Sequence, residues 1–251
     1  MRDKNKKEER THMSVYSNTE ILQAIKDGII VSEPFYEKHI SEASLDITLG
    51  YYYYKVESRA HMAIYNPFDE KEVADYFDGP EKAMKHKDWC DKYGYAYFNN
   101  IPLDHPIIVL RPGERILAHT HEFVGIKANG GACEVRSRSS WGRNGIAVCF
   151  DAGWIDPGYI NRITLEVYNL NKYESVVIPV GERIGQIIFH HTGKVKGSYE
   201  KGRNGMSGKY QKSDNLSDLI ANWHPSQMLP RAFKDKRVLP QEIKGLPKDI
   251  K

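Results

Sequence analysis

The 251-residue sequence predicts a mainly β protein folded as a distorted β-barrel or jelly-roll. Short apolar runs, separated by Gly, Pro and Asn, fill the chain from about residue 103 to residue 190, at the spacing of sandwich or barrel strands. In addition, PGERI at 112–116 returns within PVGERI at 179–184, each time between two apolar runs. The repeat predicts two similar hairpins, which favours a jelly-roll or barrel.

The chain before these strands predicts an arm, a helix and a first strand. Residues 1–16 are mostly charged or polar and predict a disordered arm. A short amphipathic helix is predicted from Asn18 to Gly28, because apolar residues recur at helical spacing at Ile21, Leu22, Ile25 and Ile29. The segment 41–56 alternates apolar and polar residues and predicts a half-buried strand.

Residues 57–100 break the β pattern with Pro, Gly and a charged run, and we interpret them as an inserted, partly helical excursion. The main domain is therefore predicted to span residues 17–211, with the insertion at about 57–100. Residues 212–251 contain several prolines and few long apolar runs, which predicts a C-terminal tail that is either mobile or a docking segment. The strands predicted after the insertion are PIIVL, RILAHT, FVGIK, RITLEVYNL, SVVIPV and IGQIIF.

Composition excludes several classes of protein. Lys and Arg number 36 against 33 Asp and Glu, a net charge of +3, so charge gives no reason to expect nucleic acid as a partner. No run approaches the roughly 18 apolar residues of a membrane span, and the charged start lacks a signal-peptide pattern, so we expect a cytoplasmic protein with no membrane partner. Three cysteines without CxxC spacing predict neither a disulfide framework nor a four-cysteine zinc site.

A basic, serine-rich segment, SRSSWGRNGI at 137–146, is the first candidate for chemistry. Hydroxyls, backbone N–H groups and the forked guanidinium groups of Arg138 and Arg143 all donate hydrogen bonds to anionic oxygens. Such a segment can bind phosphate. The alternative is a solvated basic loop.

A carboxylate in the middle of a predicted strand is the second candidate. In RITLEVYNL at 162–170, Glu166 shares the polar face with Thr164 and Tyr168. It is either an exposed or paired residue of that face, or a carboxylate held in a cleft for acid–base work. The turn-rich segment FDAGWIDPGYINR at 150–162 comes directly before it, and turns between rigid strands commonly carry sites.

Other motifs carry less chemistry. His119 and His121 form an HxH pair without an identifiable third ligand, and the H-x-E and P-C-x-x-C signature of zinc deaminases is absent, so no protein-bound metal is predicted. The sequence also contains no phosphate-binding loop of the G-x-x-x-x-G-K-[ST] type. GRNGMSGKY at 202–210 is either a flexible flap over a ligand or a plain linker.

Taken in order, these segments resemble the dCTP deaminase branch of the trimeric dUTPase superfamily over most of residues 18–211. The motifs that carry the resemblance are ASLDITLG, LRPGERILAHTHEFVGI, RSSWGRNGI, AGWIDPGY, ITLEVYN and PVGERIGQIIF. The resemblance implies a dUTPase-like barrel or jelly-roll and a homotrimer with active sites between subunits. It also implies hydrolytic removal of the cytosine 4-amino group from a deoxynucleoside triphosphate without catalytic zinc, with Mg²⁺ bound through the triphosphate.

The resemblance also implies the catalytic residues. Glu166 matches the catalytic glutamate of the family, the general base that takes a proton from the attacking water. Ser139 and Arg143 match residues that help to position the water and the glutamate from an adjoining subunit.

Substrate contacts follow from the same resemblance. Ala152 matches the alanine whose backbone meets the pyrimidine, Asp156 a sugar contact, and Tyr159 an aromatic residue that packs against deoxyribose and excludes a ribose 2′-hydroxyl. The remaining implied contacts are Arg138 and Ser140 with phosphate, Gln186 near the base, and Tyr199, Lys209 and Tyr210 in a flap that closes on the phosphates.

Three functions stay open from the sequence. The leading expectation is deamination of dCTP to dUTP and ammonia. The alternative is a dUTP diphosphatase, or a bifunctional dCTP deaminase and dUTPase that yields dUMP; IDPGY and GKY stand where a diphosphatase would carry different patterns. A nucleotide-binding regulator without turnover is the third, and the presence of Glu166, Ser139 and Arg143 argues against it.

Overall fold

The computed structural model describes residues 14–56, 64–197, 199 and 208–235. The α-helices are α1 Asn18–Lys26, α2 Glu70–Phe77, α3 His86–Tyr93, α4 Ser139–Arg143 and α5 Leu216–Asn222. The strands are β1 Ile30–Glu33, β2 Leu45–Thr48, β3 Tyr52–Lys55, β4 Glu81–Lys82, β5 Met84–Lys85, β6 Pro106–Leu110, β7 Arg115–Ile126, β8 Ala132–Ser137, β9 Ile146–Val148, β10 Trp154–Ile155, β11 Ile160–Asn169, β12 Val176–Pro179 and β13 Arg183–His190. The mainly β fold predicted from the sequence is confirmed. No helix within these residues is long and apolar enough to cross a membrane.

Three antiparallel sheets carry these strands. The six-stranded sheet has the order β4-β3-β7-β11-β9, with β1 also paired to β7. The second sheet has the order β10-β8-β13-β2 and the third β12-β6-β5. The two larger sheets supply most of the core, because alternate residues of β11 and β13 point inward, among them Leu165, Val167, Ile187 and Phe189, all of them fully buried.

The repeated PGERI turns do not make the two predicted hairpins. The turn after β6 sends the chain into β7 of a different sheet, and the turn after β12 sends it into β13, also of a different sheet. Instead β6 and β12 pair with each other, Ile108 opposite Ile178. The repeat therefore marks two equivalent corners. Gly113 and Gly181 both have positive φ there, which allows the chain to change sheets.

The first helix forms where the sequence predicts it. Ser17 caps α1, and its side chain and that of Glu20 bond each other's backbone N–H groups in a capping box. Residues 1–13 of the predicted arm lie outside the described residues. Ordered structure is already present before Ser17, since the Tyr16 ring is buried and its hydroxyl donates to the Gly130 carbonyl at 2.6 Å.

The predicted strand at 41–56 divides into β2 and β3, and the insertion, which is predicted to be partly helical, carries the helices α2 and α3. Gly50 lies between the two strands. A side chain does not fit there, because a Cβ at this position would lie 2.1 Å from the nearest atom of the His119 ring. Both nitrogens of that ring form hydrogen bonds within the fold. Its Nδ1 bonds the Thr120 carbonyl at 2.8 Å, and its Nε2 accepts the Tyr52 N–H at 3.1 Å, so His119 is not free to bind a metal.

The described part of the C-terminal tail packs against the domain. Trp223 lies over the Arg162 guanidinium at 4.8 Å and beside the His119 ring at 4.6 Å. Leu219 is buried against Phe123 of the six-stranded sheet. Aromatic faces attract guanidinium groups, so this contact combines cation–π attraction with apolar burial.

Replacing Trp223 with alanine is expected to lower the free energy of unfolding by about 2 kcal/mol, because the anchor of the tail loses its burial and its stacking on Arg162. Thermal or urea unfolding measures the loss. Ile220→Ala is the control on helix α5, which directly precedes Trp223, since the Ile220 side chain is exposed. Equal stability of the Trp223→Ala variant and the wild type would contradict docking through Trp223.

Candidate active site

A cavity of about 500 Å³ lies beside the middle of β11. This volume is within the range of small-molecule sites. Six of the residues predicted for the site line it together: Ala152, Asp156, Tyr159, Glu166, Tyr199 and Tyr210. The rest of its wall includes Thr164 and Ile163 of β11, Arg115 and Leu117 of β7, and residues of the insertion and the tail.

Glu166 is the acidic group on the β11 part of this wall. It is half-buried on β11, opposite Leu117 of β7, and its Oε2 atom is buried without a hydrogen-bond partner. Burial raises the pKa of Glu166, while hydrogen bonding from its own backbone and from the Cys149 thiol, and the charge of Arg115, oppose that rise. A carboxylate with one unpartnered oxygen and a raised pKa is suited to accept a proton from water.

The turn before β11 brings Ala152, the predicted backbone contact of the base, and Asp156, the predicted sugar contact, to the cavity. Cys149 adopts a positive φ of 52°, and its carbonyl accepts the Ala152 N–H at 2.8 Å, which closes the turn. Gly158 has a φ of 91° and donates its N–H to Ile126 at 3.0 Å. These bonds hold Ala152 and Asp156 exposed at the cavity wall.

Tyrosines form another part of the wall. The rings of Tyr159 and Tyr199 meet edge to face at 4.8 Å, and burial raises the pKa of both hydroxyls. Tyr210 lines the same cavity, and its hydroxyl accepts the Arg231 N–H at 3.2 Å. Thus the tail fixes one of the predicted flap residues against the site.

Gln211, which was not predicted from the sequence, connects the segment after Tyr210 to the turn before β11 through hydrogen bonds. It is buried, accepts the Ile160 N–H at 2.7 Å and donates to the Gly158 carbonyl at 3.1 Å. It joins the flap to the turn that presents Tyr159. Its position directly after Tyr210, a predicted flap residue, is the sequence feature that could have pointed to it.

Two predicted contacts lie elsewhere. Lys209 is adjacent to Tyr210, but its ammonium group binds the carboxylate of Asp235 at 2.8 Å and does not line the cavity. Gln186 is a half-buried residue of β13, opposite Asp46 of β2 and Arg136 of β8. Neither is assembled with Glu166 in this chain.

The Ser and Arg residues of 138–143 also lie outside the Glu166 cavity. Ser139, Ser140 and Arg143 belong to α4, a five-residue helix after β8, and are exposed. Arg138 precedes the helix, and its Nε lies 3.2 Å from a carboxylate oxygen of the buried Asp46. The candidate site is therefore divided into a Glu166 cavity and a separate donor cluster, defined here as Arg138, Ser139, Ser140 and Arg143.

Asp46, which the sequence did not single out, orients Arg138 of the donor cluster. Its side chain is 2% exposed and pairs with Arg138 and with Arg183, the latter at 3.1 Å. A buried carboxylate between two arginines leaves both guanidinium groups with a fixed direction. Within the described residues, three or more potential ligand side chains do not come together anywhere as a metal site.

Comparisons with known proteins identify relatives of the chain as a whole. A curated protein of Methanopyrus kandleri named "dCTP deaminase, dUMP-forming" is 31% identical over 82% of this chain and 94% of its own length. A protein of Haloarcula marismortui named "dCTP deaminase" is 32% identical over 70% of this chain and 79% of its own. The solved 2'-deoxycytidine 5'-triphosphate deaminase of Agrobacterium tumefaciens aligns with a TM-score of 0.48 and 19% identity, over 71% of this chain and 48% of that one. A family model described as dCTP deaminase-like matches residues 15–192, well over half of the sequence, and the chain thus belongs to the dCTP deaminase-like family.

Proposed function

We propose that the protein is a hydrolytic dCTP deaminase that converts dCTP to dUMP. The observation that carries the proposal is the half-buried Glu166 carboxylate in a 500 Å³ cavity with Ala152, Asp156 and Tyr159. The sequence alone favoured dUTP as the product. Relatives such as the Methanopyrus kandleri protein are named dUMP-forming, and this favours the bifunctional alternative.

Deamination needs one proton acceptor that can also return protons. Glu166 takes a proton from a water molecule, and the resulting hydroxide adds to C4 of cytosine. Glu166 passes this proton to N3, where it stays in the uracil product. Glu166 then moves the proton of the new C4 hydroxyl to the amino group, which leaves as ammonia while the C4 carbonyl forms. One water is consumed, and the carboxylate ends in its starting state.

Release of pyrophosphate needs a second water and cationic groups around the triphosphate. The donor cluster supplies two guanidinium groups and two hydroxyls, and Arg138 is already oriented by Asp46. Mg²⁺ would enter with the triphosphate as part of the substrate, bound chiefly through phosphate oxygens. Attack of water at the α-phosphate then gives dUMP and pyrophosphate.

We further propose a homotrimer in which the donor cluster of one subunit serves the Glu166 cavity of another. The separation of the two parts within one chain supports this, since Ser139 and Arg143 are exposed and do not line the cavity. Size-exclusion chromatography with light scattering is expected to give a trimer. A monomer that turns over dCTP would contradict the proposal.

Product analysis tests the proposed reaction. The protein is incubated with Mg²⁺ and either dCTP or, in a parallel reaction, dUTP, and dUTP, dUMP, pyrophosphate and ammonia are quantified. Calorimetry measures the binding of dCTP. From dCTP, equal amounts of ammonia, dUMP and pyrophosphate are expected. Accumulation of dUTP without pyrophosphate would indicate a deaminase alone. Release of pyrophosphate from dUTP, without release of ammonia from dCTP, would indicate a diphosphatase. Tight binding of dCTP without any product would indicate a regulator.

Tyr159 is expected to set sugar selectivity. If its ring packs against deoxyribose, Tyr159→Ala should raise KM for dCTP by about tenfold and narrow the preference for dCTP over CTP. Steady-state kinetics with both nucleotides measures the ratio of kcat/KM values. Tyr173→Ala is the control, because that side chain is 73% exposed and lies outside the cavity. Equal use of CTP and dCTP by the wild type would contradict this role.

A further inference from the structure

The Glu166 cavity has a second source of wall residues that the family motifs do not include. The insertion contributes Tyr65, Tyr76 and Phe77, and the tail contributes Met228 and Pro230. Phe77 and Met228 are buried in one cluster with Leu117 of β7. This part of the wall is therefore packed onto the six-stranded sheet.

Tyr65 is held in place through a chain of ring contacts. Its ring stacks on Tyr76 with centroids 4.2 Å apart and 13° between planes. Tyr76 meets Phe77 edge to face at 5.1 Å, and Phe77 meets Tyr54 of β3 in the same way at 6.2 Å. Parallel stacking and edge contacts of this kind fix ring positions. All of these contacts would be kept by a phenylalanine at position 65.

The buried Tyr65 hydroxyl makes no hydrogen bond within the part of the chain that the structure describes. Among the described residues that line the cavity, the side chains with a buried polar atom and no hydrogen-bond partner are Tyr65, through its hydroxyl oxygen, and Glu166, through Oε2. Buried polar groups are nearly always paired in native proteins, and an exception calls for a functional reason. Glu166 has such a reason in the proposed reaction, and Tyr65 has none yet.

One charge near Tyr65, that of Arg115, favours hydrogen-bond donation by its hydroxyl, whereas Tyr76 and Glu72 act in the opposite sense. Arg115 lines the same cavity, and its positive charge acts on both the Tyr65 hydroxyl and the Glu166 carboxylate. A nearby cation polarises an O–H group and makes it a better donor. Burial nevertheless keeps the pKa of Tyr65 above its usual value, so the proton stays on the hydroxyl.

We propose that Tyr65 is a substrate-binding residue whose hydroxyl donates a hydrogen bond to an acceptor on the nucleoside part of the substrate. This inference rests on the proposed function, because Glu166 then takes the C4 and N3 edge of the base. The acceptors that remain on the nucleoside are the base O2 carbonyl and the sugar oxygens. The insertion thus supplies affinity for substrate from outside the family motifs.

Tyr65→Phe tests the proposal, with Tyr173→Phe as the matched control on an exposed tyrosine. We expect KM for dCTP to rise about tenfold while kcat changes less than threefold, since one neutral hydrogen bond to the substrate is lost. Thermal unfolding gives an independent measurement. The Tyr65→Phe variant without nucleotide should melt at or above the wild-type temperature, yet gain less from added dCTP and Mg²⁺ than the wild type gains.

The outcomes separate the possible roles of Tyr65. A lower melting temperature without nucleotide, with unchanged KM, would make Tyr65 a packing residue and overturn the proposal. Unchanged KM together with an unchanged gain from dCTP would overturn it as well. Failure of the proposed function looks different, because the wild type itself would then release no ammonia from dCTP, whatever stands at position 65.

Discussion

Glu166→Gln is expected to lower kcat for ammonia release from dCTP by about 10² to 10⁴-fold, the usual loss when general-base assistance is removed. Glutamine keeps the size of the side chain but cannot accept a proton from water. The structure gives no substitute base on β11, where Thr164 and Ile163 are the other cavity residues of that strand. The loss should appear in kcat, with the measurement made at saturating dCTP and Mg²⁺.

Binding provides the internal control for this result. Affinity for dCTP, measured by calorimetry on the Glu166→Gln variant, should change by less than about tenfold, or roughly 1.4 kcal/mol. Glu174→Gln, an exposed glutamate outside the cavity, should behave as wild type. Near-wild-type deamination by Glu166→Gln would make Glu166 an ordinary strand residue and would refute the mechanism.

The pH dependence follows from the direction of the Glu166 pKa. Burial raises this pKa, and the base works only when ionised, so kcat/KM should fall as pH drops through a value above the usual glutamate range. Stability moves in the opposite sense. Because the folded state holds this proton more tightly than the unfolded state, ionisation of Glu166 costs stability as pH rises through the raised pKa. Glu166→Gln should therefore be at least as thermally stable as wild type at neutral pH.

The local alternation of apolar and polar residues was sufficient to place Glu166 on the polar face of a strand. It was not sufficient to predict which distant strands pair with each other. The period-two alternation of RITLEVYNL placed Glu166 and Thr164 on one face of a strand, and both line the cavity. The same kind of pattern found β6 and β12 but not their pairing. Two similar turns in a sequence do not reveal that the strands before them, β6 and β12, pair with each other. That pairing depends on the sheets into which the chain continues after each turn.

Residues of the insertion and the tail escaped prediction for a different reason. Tyr65 and Met228 are far from Glu166 in sequence and belong to no motif, yet both reach its cavity. Their apolar neighbours, Phe77 and Leu117, bring them there by packing. Asp46 was missed because a buried carboxylate in a strand has no sequence signal until its partners, the arginines, are known in space.

Arg143→Ala is expected to reduce deamination as severely as Glu166→Gln, although Arg143 lies outside the Glu166 cavity of its own chain. A mixture of the two inactive variants should recover activity. If each site combines Glu166 of one subunit with Arg143 of the next, an intact site needs an Arg143→Ala chain to supply the glutamate and a Glu166→Gln chain to supply the arginine. In an unfractionated random mixture that combination occurs at about one quarter of the sites. Each trimer that contains both chains has it at one site of three, so about a third of wild-type activity is expected from purified mixed trimers.

The control for mixing is a chain that carries both substitutions. Combined with Glu166→Gln it should give no activity, because no subunit then carries a glutamate at position 166. Subunits are exchanged by co-expression with two different tags, and mixed trimers are isolated through both tags before the assay. Purified mixed trimers of the two single variants that remain inactive would show that Glu166 and Arg143 do not meet across an interface. In that case the exposed α4 helix would have to act within its own chain or not at all.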